Sequence, residues 1–263
     1  MNFMNMNMKT ESEKQEALVK FNKMADFYDK YRPDYPQELV DTIIDKANLT
    51  AGSKLLEIGA GSGKATAQFV DFGFEIVCIE PGNDLAERGN AKLKNKNVEF
   101  IVSSFEDYSE PFEYFDAIIS AQAFHWVSQP LGYEKCANTL KTDGYLAPFW
   151  HLDLFADSEF DRELWAVINK YNGFVSCMQE KDYRTRVESI TSKITASGLF
   201  LSPEVIHFYQ ENNFTADEYY NYMLTGGVDG DKQACLEELT QLAEKYNGIK
   251  RRFTYELYLA KKL

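Results

Sequence analysis

Three closely spaced glycines form the feature of this chain with the clearest chemical use. The segment LLEIGAGSGKAT at 55–66 places Gly59, Gly61 and Gly63 directly after an apolar run. Glycine permits a tight turn and lets a ligand approach the backbone without a Cβ in the way. The free amides of such a turn, and the N-terminus of a helix predicted after it, favour negative ligand groups. A tight strand-to-helix turn without a ligand remains the alternative.

A carboxylate one strand later strengthens the ligand interpretation. Glu80 ends the next apolar run and follows Glu57 by 23 residues. An acidic side chain in this place accepts hydrogen bonds from both hydroxyls of a ribose. The two features together predict a ligand that contains a nucleoside.

The spacing argues against two common nucleotide sites. A dinucleotide fingerprint separates its last two glycines by two residues, whereas one residue separates Gly61 from Gly63. Glu57, just before the loop, would repel a pyrophosphate and suit a cationic ligand. No Gly-x-x-x-x-Gly-Lys-Ser/Thr loop is present, which excludes a P-loop NTPase. An NAD-dependent oxidoreductase stays open as an alternative, and nicotinamide binding would test it.

Alternating strands and helices must position these residues. Strands are predicted at 54–59, 74–80, 98–103, 115–121, 145–150, 204–210 and 251–260. Helices are predicted at 11–30, 37–48, 64–72, 84–94, 131–140, 215–224 and 231–246. Short apolar strands separated by helices are typical of a parallel sheet covered on both faces. The predicted fold class is therefore α/β, a doubly wound, Rossmann-like sheet of seven strands with helices on both faces.

The sequence predicts a single domain with additional segments. Residues 1–35 are predicted to form an N-terminal helical arm over the ligand site, and 36–263 a single domain. Within that domain, residues 151–202 are predicted to be a mainly helical cap insertion, because helical spacing replaces the strand alternation there.

Composition limits the partners. The 263 residues include 28 Lys+Arg and 41 Asp+Glu, a net charge of −13, which disfavours binding to nucleic acid or anionic lipid through bulk charge. Four scattered cysteines and three scattered histidines show no metal-site spacing, so reduced thiols and no metal are predicted. Without a signal-peptide pattern or an 18-residue apolar run, we predict a cytoplasmic protein with no membrane partner.

With these motifs in place, the chain resembles the class I S-adenosylmethionine-dependent methyltransferases, especially the trans-aconitate methyltransferase-like and type 11 branch. The resemblance rests on the segments EIGAGSG, Glu80-Pro81-Gly82, SSFEDYS at 103–109, FDAIISAQAFHWV at 115–127 and YDKYRPDYP at 28–36. It implies transfer of a methyl group from S-adenosylmethionine to an O, N or C nucleophile of a small molecule by in-line displacement. S-adenosylhomocysteine is then the product, and a monomer or homodimer is expected. A non-catalytic sensor of the cofactor, or a partner subunit, is the alternative.

The resemblance also implies which residues bind the cofactor. Glu80 takes the ribose diol, and Glu57 complements the ammonium group or, alternatively, stabilises the loop. Arg32 clasps the carboxylate through two parallel hydrogen bonds, unless it is a surface arginine beside aromatic rings. The full predicted set is Arg32, Glu57, Gly59, Gly61, Gly63, Glu80, Pro81, Ser104, Phe105, Glu106, Ala121 and Gln122. Asp107 competes with Glu106 for the exocyclic amine of adenine.

The acceptor pocket is predicted around Tyr28, His125, Trp126 and His151. His125 and Trp126 follow the fourth strand, at the carboxyl edge where open α/β sheets bind ligands. A histidine suits proton abstraction because its unperturbed pKa is about 6.5, which makes His125 the candidate catalytic base. The preferred alternative is that His125 shapes the pocket and carries no chemistry.

Overall fold

The protein is described by a computed structural model that covers Glu16, Val19 and residues 27–109, 111–173 and 176–263. The helices are α1 (Gln37–Lys46), α2 (Asn83–Lys92), α3 (Leu131–Thr139), α4 (Glu159–Lys170), α5 (Glu180–Ala196), α6 (Ala216–Leu224) and α7 (Lys232–Tyr246). The strands are β1 (Lys54–Ile58), β2 (Glu75–Glu80), β3 (Val98–Val102), β4 (Phe115–Ala121), β5 (Leu140–Phe155), β6 (Cys177–Gln179), β7 (Glu204–Phe214) and β8 (Ile249–Lys261).

One sheet organises the chain, with strand order β3-β2-β1-β4-β5-β8-β7. Neighbours from β3 to β5 are parallel, whereas β8 is antiparallel to both β5 and β7. The predicted α/β, Rossmann-like fold is confirmed. The short strand β6 pairs with β5 and adds an eighth strand to the seven predicted. Its three residues are too few to show a periodic pattern in the sequence.

Helices pack on both faces of the sheet. On β1, Leu55 belongs to one buried cluster and Leu56 to the other. Helices α1, α4, α6 and α7 contribute to the first cluster, and α3 and α5 to the second. Because both faces are covered, the central strands are mainly apolar rather than alternating, which is the pattern that the sequence shows.

The helix predicted at 64–72 is wrong. Two short 3₁₀ segments, Thr66–Gln68 and Val70–Phe72, stand in its place. β-Branched side chains at Thr66 and Val70 disfavour helix, and the Thr66 hydroxyl bonds to Glu57 instead of lying on a helix surface. Consequently no α-helix begins at the glycine loop, and the helix N-terminus expected there to attract negative ligand groups is missing.

Strand β5 is longer than predicted, because its extension at 151–155 pairs with both β8 and β6. Residues 151–202 therefore contain two strand segments as well as α4 and α5. The division into arm, domain and cap stays a prediction. Of the helix predicted at 11–30, the described residues Glu16, Val19 and 27–30 are helical, and the rest lies outside the described residues.

Three further observations concern the cysteines, membrane-spanning helices and metal sites. All four cysteines are free and buried. Within the described part of the chain, no helix is long and apolar enough to cross a membrane. The same residues include no cluster of three His, Cys, Asp or Glu side chains that fits a metal ion.

Candidate functional site

A cavity of about 610 Å³ opens at the carboxyl ends of β1, β2, β3 and β4. Its size is that of a small-molecule site. The predicted site residues that line it are Tyr28, Glu57, Gly59, Gly61, Glu80, Pro81, Ser104, Phe105, Glu106, Ala121, Gln122 and Trp126. The predicted residues that do not line it are Arg32, Gly63, His125 and His151.

The glycine loop is built for close approach of a ligand. Gly59 has φ +70°, and a Cβ there would stand 2.4 Å from the Cβ of Ala123. Gly61 has φ +57°, and a Cβ there would meet nothing within 4 Å. Left-handed φ values favour glycine at both positions. The open side of Gly61 borders the cavity, so a ligand can lie directly against this backbone.

Glu80 is fixed at the cavity edge by the loop itself. One carboxylate oxygen accepts the Gly61 amide at 2.8 Å, and the other accepts the Gly82 amide at 2.8 Å. Burial raises the pKa of Glu80, and these two amides oppose that rise. Each carboxylate oxygen has a second lone pair. The side chain can therefore hold the loop and accept two further hydrogen bonds from a diol.

Glu57 lies deeper, with 1% of its surface exposed. Burial raises its pKa to about 8, against the 2.6 Å hydrogen bond from the Thr66 hydroxyl and with a further contribution from the Glu80 charge. The carboxyl is therefore mostly protonated at pH 7 before a ligand binds. A cationic ligand group would favour its ionised form, so charge complementarity would involve loss of this proton. The Thr66 contact fits the alternative role in stabilising the loop.

Glu57→Gln is expected to stabilise the ligand-free protein increasingly as the pH rises. The unfolded chain loses this proton near pH 4.5 and the folded protein only near pH 8, so folding is penalised progressively between these values. The penalty grows by ~1.4 kcal/mol per pH unit. Over 1.5 units, from pH 6.0 to 7.5, the variant should gain about 2 kcal/mol relative to the natural protein.

Urea unfolding at the two pH values measures this gain. Glutamine keeps an oxygen that can accept from Thr66, so the charge is the main change. Glu99→Gln, at an exposed position on β3, is the matched control and should show no such gain. An equal stability difference at both pH values would contradict the raised pKa of Glu57.

The two carboxylates predicted as alternatives for an adenine amine, Glu106 and Asp107, both lie at the cavity. Glu106 accepts the backbone amide of Ser128 at 2.9 Å. Asp107 accepts the Ser104 hydroxyl at 2.6 Å. Each of them accepts a hydrogen bond from the protein, and both stay candidates for this role. Phe105 also lines the cavity, is 3% exposed and belongs to the second buried cluster.

Gln122, just after β4, has an unusual backbone for its type. Its φ is +60°, in the region that favours glycine. Its amide donates to Phe149 O at 2.9 Å, and its side-chain nitrogen donates to His151 O at 3.0 Å and also contacts His151 Nδ1. Strained residues of this kind concentrate at functional sites, where the surroundings hold them.

His151 and Arg32 lie behind Gln122 and do not line the cavity. His151 is 2% exposed, and its Nε2 is 3.1 Å from Arg32 Nη1. Burial lowers the pKa of His151 well below its usual value, and the charges of Arg32 and Lys64 lower it further. The imidazole is therefore neutral. It contacts Gln122 rather than the cavity itself.

His125 is held by a tryptophan. Trp150 Nε1 donates to His125 Nδ1 at 3.2 Å. Because the indole N–H can only donate, Nδ1 accepts, and the neutral ring carries its proton on Nε2. In this tautomer Nε2 is a donor and not a base. The geometry favours the interpretation in which His125 shapes the site, with Trp126 on the cavity wall.

Several side chains that join the glycine loop to the preceding segment were not predicted from the sequence. Ser62 donates to the Asp29 carboxylate. Lys64 donates to Asp29 O at 3.0 Å and pairs with Asp34 at 2.7 Å, and it lines the cavity. Lys64 follows the third glycine directly, which was the available signal for a cation at this site.

Comparison with known proteins finds similarity to methyltransferases. Residues 56–147 match a family described as a methyltransferase domain. An uncharacterized methyltransferase of Mycobacterium tuberculosis is 26% identical over 138 residues, which cover 52% of this chain and 54% of that protein. A Saccharomyces cerevisiae protein named as a probable S-adenosylmethionine-dependent methyltransferase is 34% identical over 129 residues, covering 47% and 43%. The chain thus spans about half the length of these curated relatives.

The fold has relatives among solved structures. The YcgJ protein of Bacillus subtilis superimposes with a TM-score of 0.57 at 15% identity, covering 86% of this chain and 99% of that one. That likeness shows the fold alone. Taken with the matched domain and the named relative, it confirms the resemblance found in the sequence, while the branch within the family stays a prediction. Residues 56–147 thus contain a methyltransferase domain, and the chain is similar to the class I S-adenosylmethionine-dependent methyltransferases.

Proposed function

We propose that the cavity binds S-adenosylmethionine and that the protein transfers its methyl group to an O, N or C nucleophile of a small molecule. One observation carries the proposal: Glu80 is anchored by the amides of Gly61 and Gly82, and the open side of Gly61 faces the same cavity. A diol acceptor and a bare backbone surface are therefore combined in a space of about 610 Å³.

Different residues of the cavity suit the different parts of S-adenosylmethionine. Glu80 suits the ribose, the wall formed by Ser104, Phe105 and Glu106 suits the adenine, and Gly59 and Gly61 suit the methionine part. The remaining predicted cofactor residues on the wall are Glu57, Pro81, Ala121 and Gln122. Gly63 lies within the loop and shapes it, since its amide donates to Ala60 O at 2.9 Å.

When bound, the cofactor supplies a methyl carbon activated by a positive sulfonium and a neutral leaving group. The protein's residues need to align the acceptor and exclude water, for which positioning contributes about 7–11 kcal/mol. Gln122 and Trp126, which line the cavity in the segment after β4, are the candidates for this role. An acceptor that is already ionised needs no base, which agrees with the tautomer of His125. No metal takes part in this proposal.

We further propose a cytoplasmic enzyme, a monomer or homodimer, whose partner is the small-molecule acceptor and not nucleic acid or membrane. The net charge of −13 supports the exclusion of nucleic acid and anionic lipid.

Two measurements test the function. Calorimetry should detect binding of S-adenosylmethionine and S-adenosylhomocysteine and no binding of NADH. A labelled-methyl assay against metabolite extracts should then transfer label to a small molecule. Binding without transfer to any compound would favour a non-catalytic sensor, and NADH binding would favour an oxidoreductase.

A further inference from the structure

The side chain of Gln122 is fixed at its nitrogen. Nε2 donates to the carbonyl oxygen of His151 at 3.0 Å and contacts Nδ1 of the same residue. A carbonyl oxygen only accepts hydrogen bonds, so the atom of the carboxamide that faces it is the nitrogen. The carboxamide oxygen, Oε1, is therefore the atom that remains for another partner.

This oxygen is open to the cavity. Oε1 of Gln122 accepts no hydrogen bond from the described residues. It is not enclosed by them either, because it is absent from the buried side-chain atoms that have no partner. Since Gln122 lines the cavity, a hydrogen-bond acceptor is presented to any molecule that binds there.

The surrounding structure holds Gln122 in a costly backbone conformation. Its φ is +60°, and its amide is fixed by the bond of 2.9 Å to Phe149 O. His151, which faces the carboxamide, is 2% exposed, and its Nε2 is 3.1 Å from Arg32 Nη1. Costly conformations of this kind persist where their surroundings enforce them, and fixed side chains orient a ligand. The direction of Oε1 is therefore set before a ligand binds.

Gln122 lies away from the carboxylate that suits the ribose. Glu80 ends β2, whereas Gln122 follows β4, two strand positions along the order β2-β1-β4. At ~4.8 Å per strand this separation is ~10 Å. A contact of the cofactor with the backbone of Gln122 would leave the side-chain oxygen available. Oε1 thus borders the part of the cavity that is farther from the ribose.

The wall around Oε1 is uncharged. The segment 121–128 lines the cavity with Ala121, Gln122, Ala123, Trp126, Val127 and Ser128. Lys64, a lining cation, belongs to the glycine loop and is paired with Asp34 at 2.7 Å. A largely apolar wall with a few fixed polar atoms is typical of a small-molecule site, in which those atoms set the orientation. This wall suits an uncharged molecule with an apolar body.

We propose that Gln122 selects the methyl acceptor: its Oε1 accepts a hydrogen bond from a hydroxyl or amino group of an uncharged acceptor. The proposal rests on the proposed function and names the chemical class of its substrate. A carboxamide oxygen accepts hydrogen bonds and is not a base, so the contact orients the acceptor and takes no proton from it. A carboxylate has no donor for this contact and would face the partial negative charge of Oε1.

The test measures the binding of probes of similar shape to the full chain saturated with S-adenosylhomocysteine. At pH 7.5, 4-methylphenol carries a hydroxyl donor, 4-methylaniline an uncharged amino donor, 4-methylanisole no donor and 4-methylbenzoate a negative charge. In the natural protein at least one of the two donors should bind more tightly than 4-methylanisole and 4-methylbenzoate. The two donor probes distinguish a hydroxyl acceptor from an amino acceptor.

Gln122→Met keeps the length of the side chain and removes the oxygen. It should weaken the donor probe by about 3- to 10-fold and leave 4-methylanisole within about 2-fold. Gln122→Asn tolerates the left-handed backbone and withdraws the oxygen by one carbon, so it should weaken the donor too. Gln233→Met changes an exposed glutamine that bonds to Glu237 on α7, and this matched control should bind every probe as the natural protein does.

The affinity for S-adenosylhomocysteine separates the acceptor from the cofactor. We expect it to change by less than about 3-fold in Gln122→Met, with thermal unfolding showing that the variant is folded. If it fell by about 10-fold or more while 5′-methylthioadenosine, which has no ammonium group, bound unchanged, Oε1 would serve the cofactor and the proposal would be overturned. Unchanged donor binding in a folded Gln122→Met protein, or no preference for either donor in the natural protein, would overturn it too. Failure of the natural protein to bind S-adenosylhomocysteine would instead contradict the proposed function.

Discussion

Replacing Glu80 with alanine is expected to weaken S-adenosylhomocysteine binding by about 10²–10⁴-fold. Hydrogen bonds to charged groups contribute ~1.5–3 kcal/mol each. Two bonds from the ribose diol therefore account for ~3–6 kcal/mol, and each 1.4 kcal/mol is tenfold in affinity. The variant also releases the amides of Gly61 and Gly82, so the loop loses its anchor. Isothermal titration calorimetry measures the loss.

Two further variants serve as comparisons for the affinity of Glu80→Ala. Glu80→Gln keeps one acceptor oxygen and should bind with an affinity between those of the natural protein and Glu80→Ala. Glu75→Ala removes a carboxylate from the other end of β2, where it is exposed, and should leave binding unchanged. Urea unfolding shows whether Glu80→Ala is folded. A folded Glu80→Ala protein with natural affinity would remove the ribose role from this residue.

Gly61→Leu is expected to reduce the same affinity by about 100-fold or more while the protein stays folded. The position has φ +57° and open space where a side chain would begin, so leucine would project into the volume that the ligand needs. The backbone cost of a non-glycine residue in the left-handed region is about 1–2 kcal/mol. Calorimetry gives the affinity, and urea unfolding gives the stability.

Gly198 supplies a matched control for this substitution. It also has positive φ, +68°, and nothing within 4 Å of an added Cβ, but it follows α5 and does not line the cavity. Gly198→Leu should therefore carry a similar backbone cost without loss of binding. If both leucine variants bound S-adenosylhomocysteine equally well, the open side of Gly61 would not face the ligand.

The central strands were predictable because burial on both faces of the sheet requires short runs of mainly apolar residues. Strands β1, β2 and β4 are mainly apolar runs, and their bounds agree with the prediction to within a residue at each end. The segment at 64–72 failed because its conformation depends on a distant group. Thr66 turns inward to Glu57 and Gln68 bonds to the backbone of Tyr35, contacts that helical periodicity does not encode.

Part of the candidate site was likewise predictable from the sequence, and part was not. The glycines and Glu80 were predictable because they follow directly from strand ends and local spacing. The surroundings of Arg32 were not, since its partners Thr225, Ser176 and His151 are 193, 144 and 119 residues away along the chain. Only the sheet order brings them together. The strained backbone of Gln122 likewise has no counterpart in a sequence pattern.

The link between Lys64 and Asp34 bears on how quickly a ligand can enter and leave. The carboxylate of Asp34 is 77% exposed, so dissolved salt weakens this ion pair. Lys64 borders the cavity and Asp34 belongs to the segment before α1, so loosening the pair removes one of the links between the glycine loop and this segment, while the bonds of Ser62 and Lys64 to Asp29 remain. Higher ionic strength should therefore accelerate exchange of a nucleoside ligand in both directions, and product release would respond to the salt around the protein as well as to the site within it.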